Sequence, residues 1–168
     1  MTTDLVLTRV GLRLGRRCWP CTIGRGGIRS DKREGDGATP VGCHRIVGLL
    51  YRPDRLALPV DWATPIRPGD LWSDDETRPD YNSLVKGPYA GRHEVLRRAD
   101  RLYDVVLLTD WNWPKATPGR GSAIFLHRWR RPGHPTEGCI ALRPDHLGKL
   151  IRAIRPGHRL IVPQALAG

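Results

Sequence analysis

The sequence predicts a mainly β domain, a sandwich of two sheets with one helix near its C-terminal end. Short apolar runs punctuated by turn residues are the first observation. The 19 glycines and 15 prolines among 168 residues are the second. Both suit many short strands better than a helical bundle. The third is a segment near the end, residues 144–154, whose apolar residues recur at helical spacing. A chain of this length buries one genuine core and would be cramped as two, so residues 1–168 read as a single domain.

The first fifty residues read as a meander. Residues 5–9, 12–14 and 18–23 are strands, with Gly11 and Gly15-Arg16 as turns. Gly24-Arg25-Gly26-Gly27 and then Lys32-Arg33-Glu34-Gly35-Asp36-Gly37-Ala38-Thr39-Pro40 are glycine-rich and basic. They lack the Gly-Lys-Ser/Thr ending that precedes the helix of a P-loop, so nucleotide binding is weakly indicated. Residues 41–50 resume as a strand. Residues 51–90 are irregular, rich in proline, aspartate and aromatics, and read as an insertion, either a lid or a structural flap. Residues 92–98 read as a short helix. Residues 103–109 are the clearest strand, with Val105-Val106-Leu107-Leu108 apolar on both faces as at the centre of a sheet. A loop over 110–121 leads to a strand over 123–129. After residues 139–142, Pro144 falls at a first helical position and Leu147, Leu150, Ile151 and Ile154 share a face. Pro156-Gly157 ends that helix, and residues 158–162 make a last strand.

The formal charge of +11 comes from 28 lysines and arginines against 17 acids, spread along the chain. Such a balance favours a polyanionic partner, whether nucleic acid, an anionic membrane surface or an acidic wall polymer, or else a merely soluble basic surface. No helix-turn-helix, zinc-finger or aromatic-rich basic signature supports nucleic-acid recognition. No stretch is long and apolar enough to span a bilayer. Residues 1–9 carry neither a basic leader nor an apolar signal core and read as a strand. Cys18-Trp19-Pro20-Cys21 has CxxC spacing, but Thr22-Ile23 continue a strand where a redox motif would open a helix. Cys43 and His44 are adjacent and do not readily face one metal. These thiols read as structural, and no metal or other cofactor is expected. The sequence does not decide whether any of them pair.

Chemistry concentrates in Thr136-Glu137-Gly138-Cys139-Ile140-Ala141-Leu142. Gly138 lets the backbone bend sharply before Cys139, and the apolar residues after it anchor the turn as a buried strand. Twelve residues upstream of Cys139, an apolar run from Ser122 ends in His127. A thiol and an imidazole on neighbouring strand ends suit cysteine acyl transfer: the imidazole takes the thiol proton and the thiolate attacks a carbonyl. His134, in a proline-glycine loop, is the rival base, but a strand end holds its geometry better. The imidazole needs an orienting group, either a backbone carbonyl or the side chain of Asp110 or Asn112, both of which also suit a turn. Trp72, Tyr81, Asn82 and Trp111 are candidate cleft walls, and Glu137 could bind an incoming amine. His44, His93, His146 and His158 read as surface or strand residues.

With Thr39-Pro40-x-Gly42, His127 and Thr136-Glu137-Gly138-Cys139-Ile140-x-Leu142 in hand, the chain resembles the L,D-transpeptidase catalytic domain (YkuD-like) family over nearly its whole length. The resemblance implies a YkuD-like β-sandwich of two mixed sheets, with one C-terminal helix before the last strand and a short helix near 91–99. It implies Cys139 as nucleophile and His127 as general base. The thiolate would attack the carbonyl at the L-centre of a diamino acid in a peptidoglycan stem peptide and release the D-amino acid behind it. An amine of a second stem would then resolve the thioester into a crosslink. The N–H groups of Gly138 and Cys139 would help hold the oxyanion. Substrate contacts would come from Thr136, Glu137, Arg128, Trp111, Asn112, Tyr81 and Trp72.

The implied partners are peptidoglycan stem peptides rather than nucleic acid, the implied place is the periplasm or cell wall, and the implied role is wall biogenesis and cell shape. The sequence departs from the family pattern at Glu137, where histidine is usual, and at Ala141, where arginine is usual. Arg128 stands where a small residue is common. Two alternatives remain: resolution of the same acyl-enzyme by water, giving an L,D-carboxypeptidase or crosslink hydrolase, and a basic binding module with a degenerate site.

Overall fold

In the computed structural model residues 4–168 are described, so part of the reading of the N-terminus lies outside the described residues. The meander consists of Leu5–Thr8 (β1), Gly11–Leu14 (β2), Arg17–Trp19 (β3) and Cys21–Thr22 (β4). The last two are split at Pro20, which has no N–H to give a ladder. Ile28–Arg29 (β5) and Thr39–Pro40 (β6) form a small parallel pair at the ends of the glycine-rich loop. Gly42–Tyr51 (β7) follows, then Ala63–Pro65 (β8), Asp70–Ser73 (β9), Leu84–Lys86 (β10) and His93–Val95 (β11). Val105–Thr109 (β12), Phe125–Arg128 (β13) and Ile140–Leu142 (β14) come next. The helix Pro144–Ala153 (α1), the strand Arg159–Val162 (β15) and a 3-10 turn at Gln164–Leu166 complete the chain.

Hydrogen bonding runs in the order β3-β2-β1-β15-β7-β12-β13-β14-β4, with β8 beside β7. Ten-residue β7 belongs to both layers. Its first part pairs with β15, from Gly42↔Val162 to Arg45↔Arg159, and its second part with β12, from Ile46↔Thr109 to Tyr51↔Val105. The β1–β15, β7–β8 and β13–β14 pairs are parallel and the others on the path antiparallel, so both sheets are mixed. The main core lies between the layers. Leu5, Leu7, Leu12, Leu160 and Val162 of one meet Leu49, Leu107, Leu126, Ile140 and Leu142 of the other. Leu147, Leu150 and Ile151 on one face of α1 close that core. Strand β12 is central and buried, as its apolar run predicts.

Two expectations change. Residues 92–98 do not form the short helix expected near 91–99. They carry β11, whose His93, Glu94 and Val95 pair with Ser73, Trp72 and Leu71 of β9. A helix of that length is marginal by itself, and the open edge of β9 supplies ladder bonds that outweigh the helical propensity. Residues 51–90 are not irregular throughout. They contribute β8, β9 and β10, and β10-β9-β11 is a separate three-stranded sheet. That sheet lies over the outer face of the β12–β13 layer, where Trp72, Leu96, Tyr103, Val106, Phe125 and Cys139 form a second cluster.

The strong basicity is partly consumed in holding this layer. Asp104, fully buried, accepts from Arg128 at 2.6 Å, from Arg55 at 2.8 Å and from Arg101 at 3.2 Å. Arg128, expected at the substrate, is thereby tied behind the sheet. Removing one partner of a buried ion pair leaves the others uncompensated. Asp104→Ala is expected to lower unfolding free energy by about 3 kcal/mol or more, read as a shift of the urea midpoint at unchanged slope.

Candidate active site

The turn before Cys139 is fixed by main chain packed against main chain. Gly138 has φ +136°, and a Cβ there would stand 2.8 Å from the Ala38 carbonyl oxygen. A Cβ on Gly24 would meet Gly37 O at 2.1 Å and Gly138 Cα at 2.9 Å. Only glycine fits either place. The Thr39 hydroxyl bridges the segments, accepting from Gly24 N–H at 3.0 Å and donating to Gly138 O at 2.8 Å. Thr136 N–H donates to Ile23 O at 3.0 Å, and its carbonyl accepts from Arg25 N–H at 2.8 Å. The Thr136 hydroxyl donates to Cys139 O at 2.5 Å and accepts from Gly138 N–H at 3.1 Å. Gly138 N–H is thus occupied in the resting turn.

Parallel pairing of β13 and β14 sets Leu126 beside Ile140 and His127 beside Ala141. Side chains alternate across a strand. Leu126, Ile140 and Leu142 therefore enter the main core, while Phe125, His127, Cys139 and Ala141 share the other face. Cys139 and His127 line one cavity of about 580 Å³, together with Thr136, Glu137, Ala141 and His134. His127 Nδ1 lies 2.7 Å from the carbonyl of Arg128, which can only accept. Nδ1 therefore carries the proton, and Nε2 keeps its lone pair. The orienting group is the main chain. Asp110 instead accepts Arg45 N–H at 2.7 Å. Tyr103 meets the imidazole edge-on, with centroids 5.3 Å apart.

Both groups are neutral at pH 7. Burial and the charge of Glu94 push the Cys139 thiol up to about 12, against the Phe125 N–H and Lys32, which act the other way. Burial pulls the His127 imidazole down to about 4, offset in part by its bond to Arg128 O. The sulfur rests 3.1 Å from Ala123 O, to which it donates, and 3.4 Å from Phe125 N–H, from which it accepts. A neutral thiol and a neutral imidazole base lining one cavity can exchange a proton only as an electrophile arrives.

Several residues read as substrate contacts support the site from behind instead. Asn82, Asn112 and Ala123 all have positive φ, at +57°, +51° and +52°. Asn82 Oδ1 accepts from Trp72 Nε1 and Ala123 N–H, each at 3.0 Å, and its Nδ2 donates to the carbonyls of Trp111 and Asn112. Asn112 Nδ2 donates to Thr117 O and Gly121 O, clamping its own loop. Trp72 packs edge-on against Phe125 at 5.0 Å. Tyr81 donates to Glu34 and accepts Gly121 N–H. Trp111 lies under Arg120 and against His44, in a separate cleft beside β7. Of the residues read as contacts, Thr136 and Glu137 reach the cavity. Glu137 is paired at its mouth with Arg25 through both oxygens, at 2.8 and 2.9 Å.

Lys32, Glu34, Asp74, His93, Glu94, Arg98 and Tyr103 also line the cavity. His93 is thus a strand residue, as expected, whose strand also borders the cavity. Tyr103 donates to Glu94 at 2.5 Å, and burial holds the Glu94 carboxyl above the usual range. No short-range pattern marks these residues. Only the glycine-rich run around Lys32 stood out, and it resembled a phosphate loop more than a catalytic wall.

The family model for the YkuD L,D-transpeptidase catalytic domain matches residues 5–162. Among solved structures, L,D-transpeptidase 1 of Mycobacterium tuberculosis matches at 12% identity and a TM-score of 0.44. The match covers 96% of this chain and 60% of that one, so the chain spans less than two thirds of that protein's length. No curated protein matches the chain.

The raised thiol pKa sets a pH profile. Between pH 7 and 10 the thiolate fraction of a thiol near 12 rises about tenfold per unit. Alkylation of Cys139 by iodoacetamide, followed by peptide mass spectrometry to separate it from exposed Cys18 and Cys43, is expected to climb through that window without a plateau. A plateau near neutrality would mean a preformed thiolate–imidazolium pair.

Proposed function

The chain belongs to the YkuD family of L,D-transpeptidase catalytic domains, and from that premise we propose that it is a cysteine acyltransferase that crosslinks peptidoglycan stem peptides. One observation supports this above others: Cys139 and His127 share a sheet face at one cavity, with the imidazole Nε2 free to accept a proton. His127 takes the Cys139 proton as the sulfur attacks the carbonyl at the L-centre of the donor stem. The C–N bond breaks, the proton passes to the leaving D-amino acid, and a thioester remains. An amine of a second stem attacks that thioester, a new amide forms, and the thiol regains its proton. Cys139 N–H, which donates to no group among the described residues, is the main-chain donor available to the oxyanion. The polymer substrate places the enzyme in the periplasm or cell wall.

Purified disaccharide tetrapeptide is the test substrate. Crosslinked dimer with free D-alanine is the expected product, whereas tripeptide alone would indicate resolution by water. Cys139→Ala should reduce turnover to background, and His127→Gln should lower kcat by a hundredfold or more with the melting temperature little changed. Turnover that survives Cys139→Ala would remove the acyl-enzyme.

A further inference from the structure

A buried cation in the cavity has no part in the chemistry just described. Lys32, on the glycine-rich loop, is 7% exposed. Its ammonium donates to the Arg33 carbonyl at 2.5 Å and to Asp36 at 2.6 Å. Asp36 is itself fixed by N–H groups of Arg33 at 2.7 Å and Ala38 at 2.8 Å. An ammonium has three N–H donors, so one is left over. Buried donors are ordinarily satisfied, and Lys32 lines the same cavity as Cys139. Gly121 gives the ammonium room, since a Cβ there would stand 3.2 Å from Nζ.

The other charges of the cavity are paired or at least partly exposed, the Arg98 side chain being 33% exposed against 3% for Lys32. Arg98 is held by both oxygens of Asp100, at 2.8 and 2.6 Å, and lies over the Tyr103 ring. Arg130 is exposed at the rim. Glu34 is bonded by Tyr81, Glu94 by Tyr103 and Glu137 by Arg25. Asp74 faces Arg92. Lys32 is left as the buried cation with an unused donor.

We propose that Lys32 is the anion contact of this cavity, its third N–H taking the free carboxylate of the residue released from the acyl donor. The assignment rests on the acyl-transfer reading and adds to it the feature that selects the donor. A peptide ending one residue beyond the attacked carbonyl presents that carboxylate. An amidated or longer chain does not, and leaves one N–H of the buried ammonium unanswered. The same charge opposes the effect of Glu94 on the thiol, so one side chain both selects the donor and eases formation of the thiolate.

The first test needs no wall substrate. Cys139 in the whole protein is alkylated at pH 8.5 with iodoacetate, an anion, and with neutral iodoacetamide, and the two rates are compared by peptide mass spectrometry. Lys32→Met should lower the iodoacetate-to-iodoacetamide ratio about tenfold, the size of a lost charge-assisted hydrogen bond. Lys32→Arg, which keeps the charge, should hold most of it, and exposed Cys18 should show no change. A loop that merely loosens moves both reagents together, so an unchanged ratio overturns the proposal whatever the absolute rates. The second test compares donor tetrapeptides with free and amidated C-termini, and Lys32→Met should erase a preference for the free acid. A ratio that responds without turnover of either peptide upholds the anion contact and sinks the acyl-transfer reading. Turnover with an unmoved ratio does the reverse.

Discussion

The site depends on a place where side chains are absent. Residues 23–25, 37–39 and 136–138 approach main chain to main chain, close enough that a single methyl group on Gly24 or Gly138 would overlap a backbone atom. The Thr39 hydroxyl crosses the junction, and Thr136 pairs with both sides of the Gly24 bridge. Each bond alone contributes about 1 kcal/mol. Their joint effect is geometric, because together they fix the backbone immediately before Cys139 and so the direction of its side chain. The glycine-rich loop that looked like a phosphate cradle thus does mechanical duty, and it holds Lys32 against the same cavity.

A second layer carries strain toward the sulfur. Ala123, held at φ +52°, presents its carbonyl to the Cys139 thiol, and a non-glycine residue occupies that region only when its surroundings insist. Asn82 supplies the insistence. It bonds Ala123 N–H on one side and the carbonyls of Trp111 and Asn112 on the other. Trp72 and Tyr81 lock the same frame, which is why aromatics that suggest a cleft wall prove to be its scaffold. The resting thiol proton is consequently spent on a main-chain carbonyl. In the proposed reaction it must swing to His127 as the donor carbonyl displaces it, and burial makes that exchange unfavourable until substrate is seated.

How much of this was legible follows from the range of the contacts. Leu5–Thr8, Gly42–Tyr51, Val105–Thr109 and Pro144–Ala153 announce themselves by local periodicity, and so does the placing of His127 and Cys139 at strand ends. The segment Arg92–Arg98 does not, because its state is set by Leu71 and Trp72 some twenty residues earlier. The role of Arg128 is hidden for the same reason. Nothing near it in sequence reveals that Asp104 waits behind the sheet. Tyr103 folds back onto Glu94 through the turn after β11, and the combined action of burial and Glu94 on the thiol is something no motif encodes.

Of the three departures from the family pattern, Glu137 and Ala141 have unequal physical weight. Glu137 adds a negative charge beside the nucleophile, yet both its oxygens are turned to Arg25, and the pair is exposed on both sides. An exposed pair contributes on the order of 0–1 kcal/mol and is readily exchanged. In the proposed reaction Glu137 can therefore turn to an arriving amine at little cost. Ala141 acts by subtraction. It stands beside His127 on the cavity face, so a long basic side chain there would fill the space and add a charge next to the imidazole. With alanine in place, the buried cation of the cavity is Lys32, on a different loop and bound to a different partner. In the proposed reaction an anion is met from the glycine-rich side, and that placement sets the orientation of the donor across Cys139 and His127.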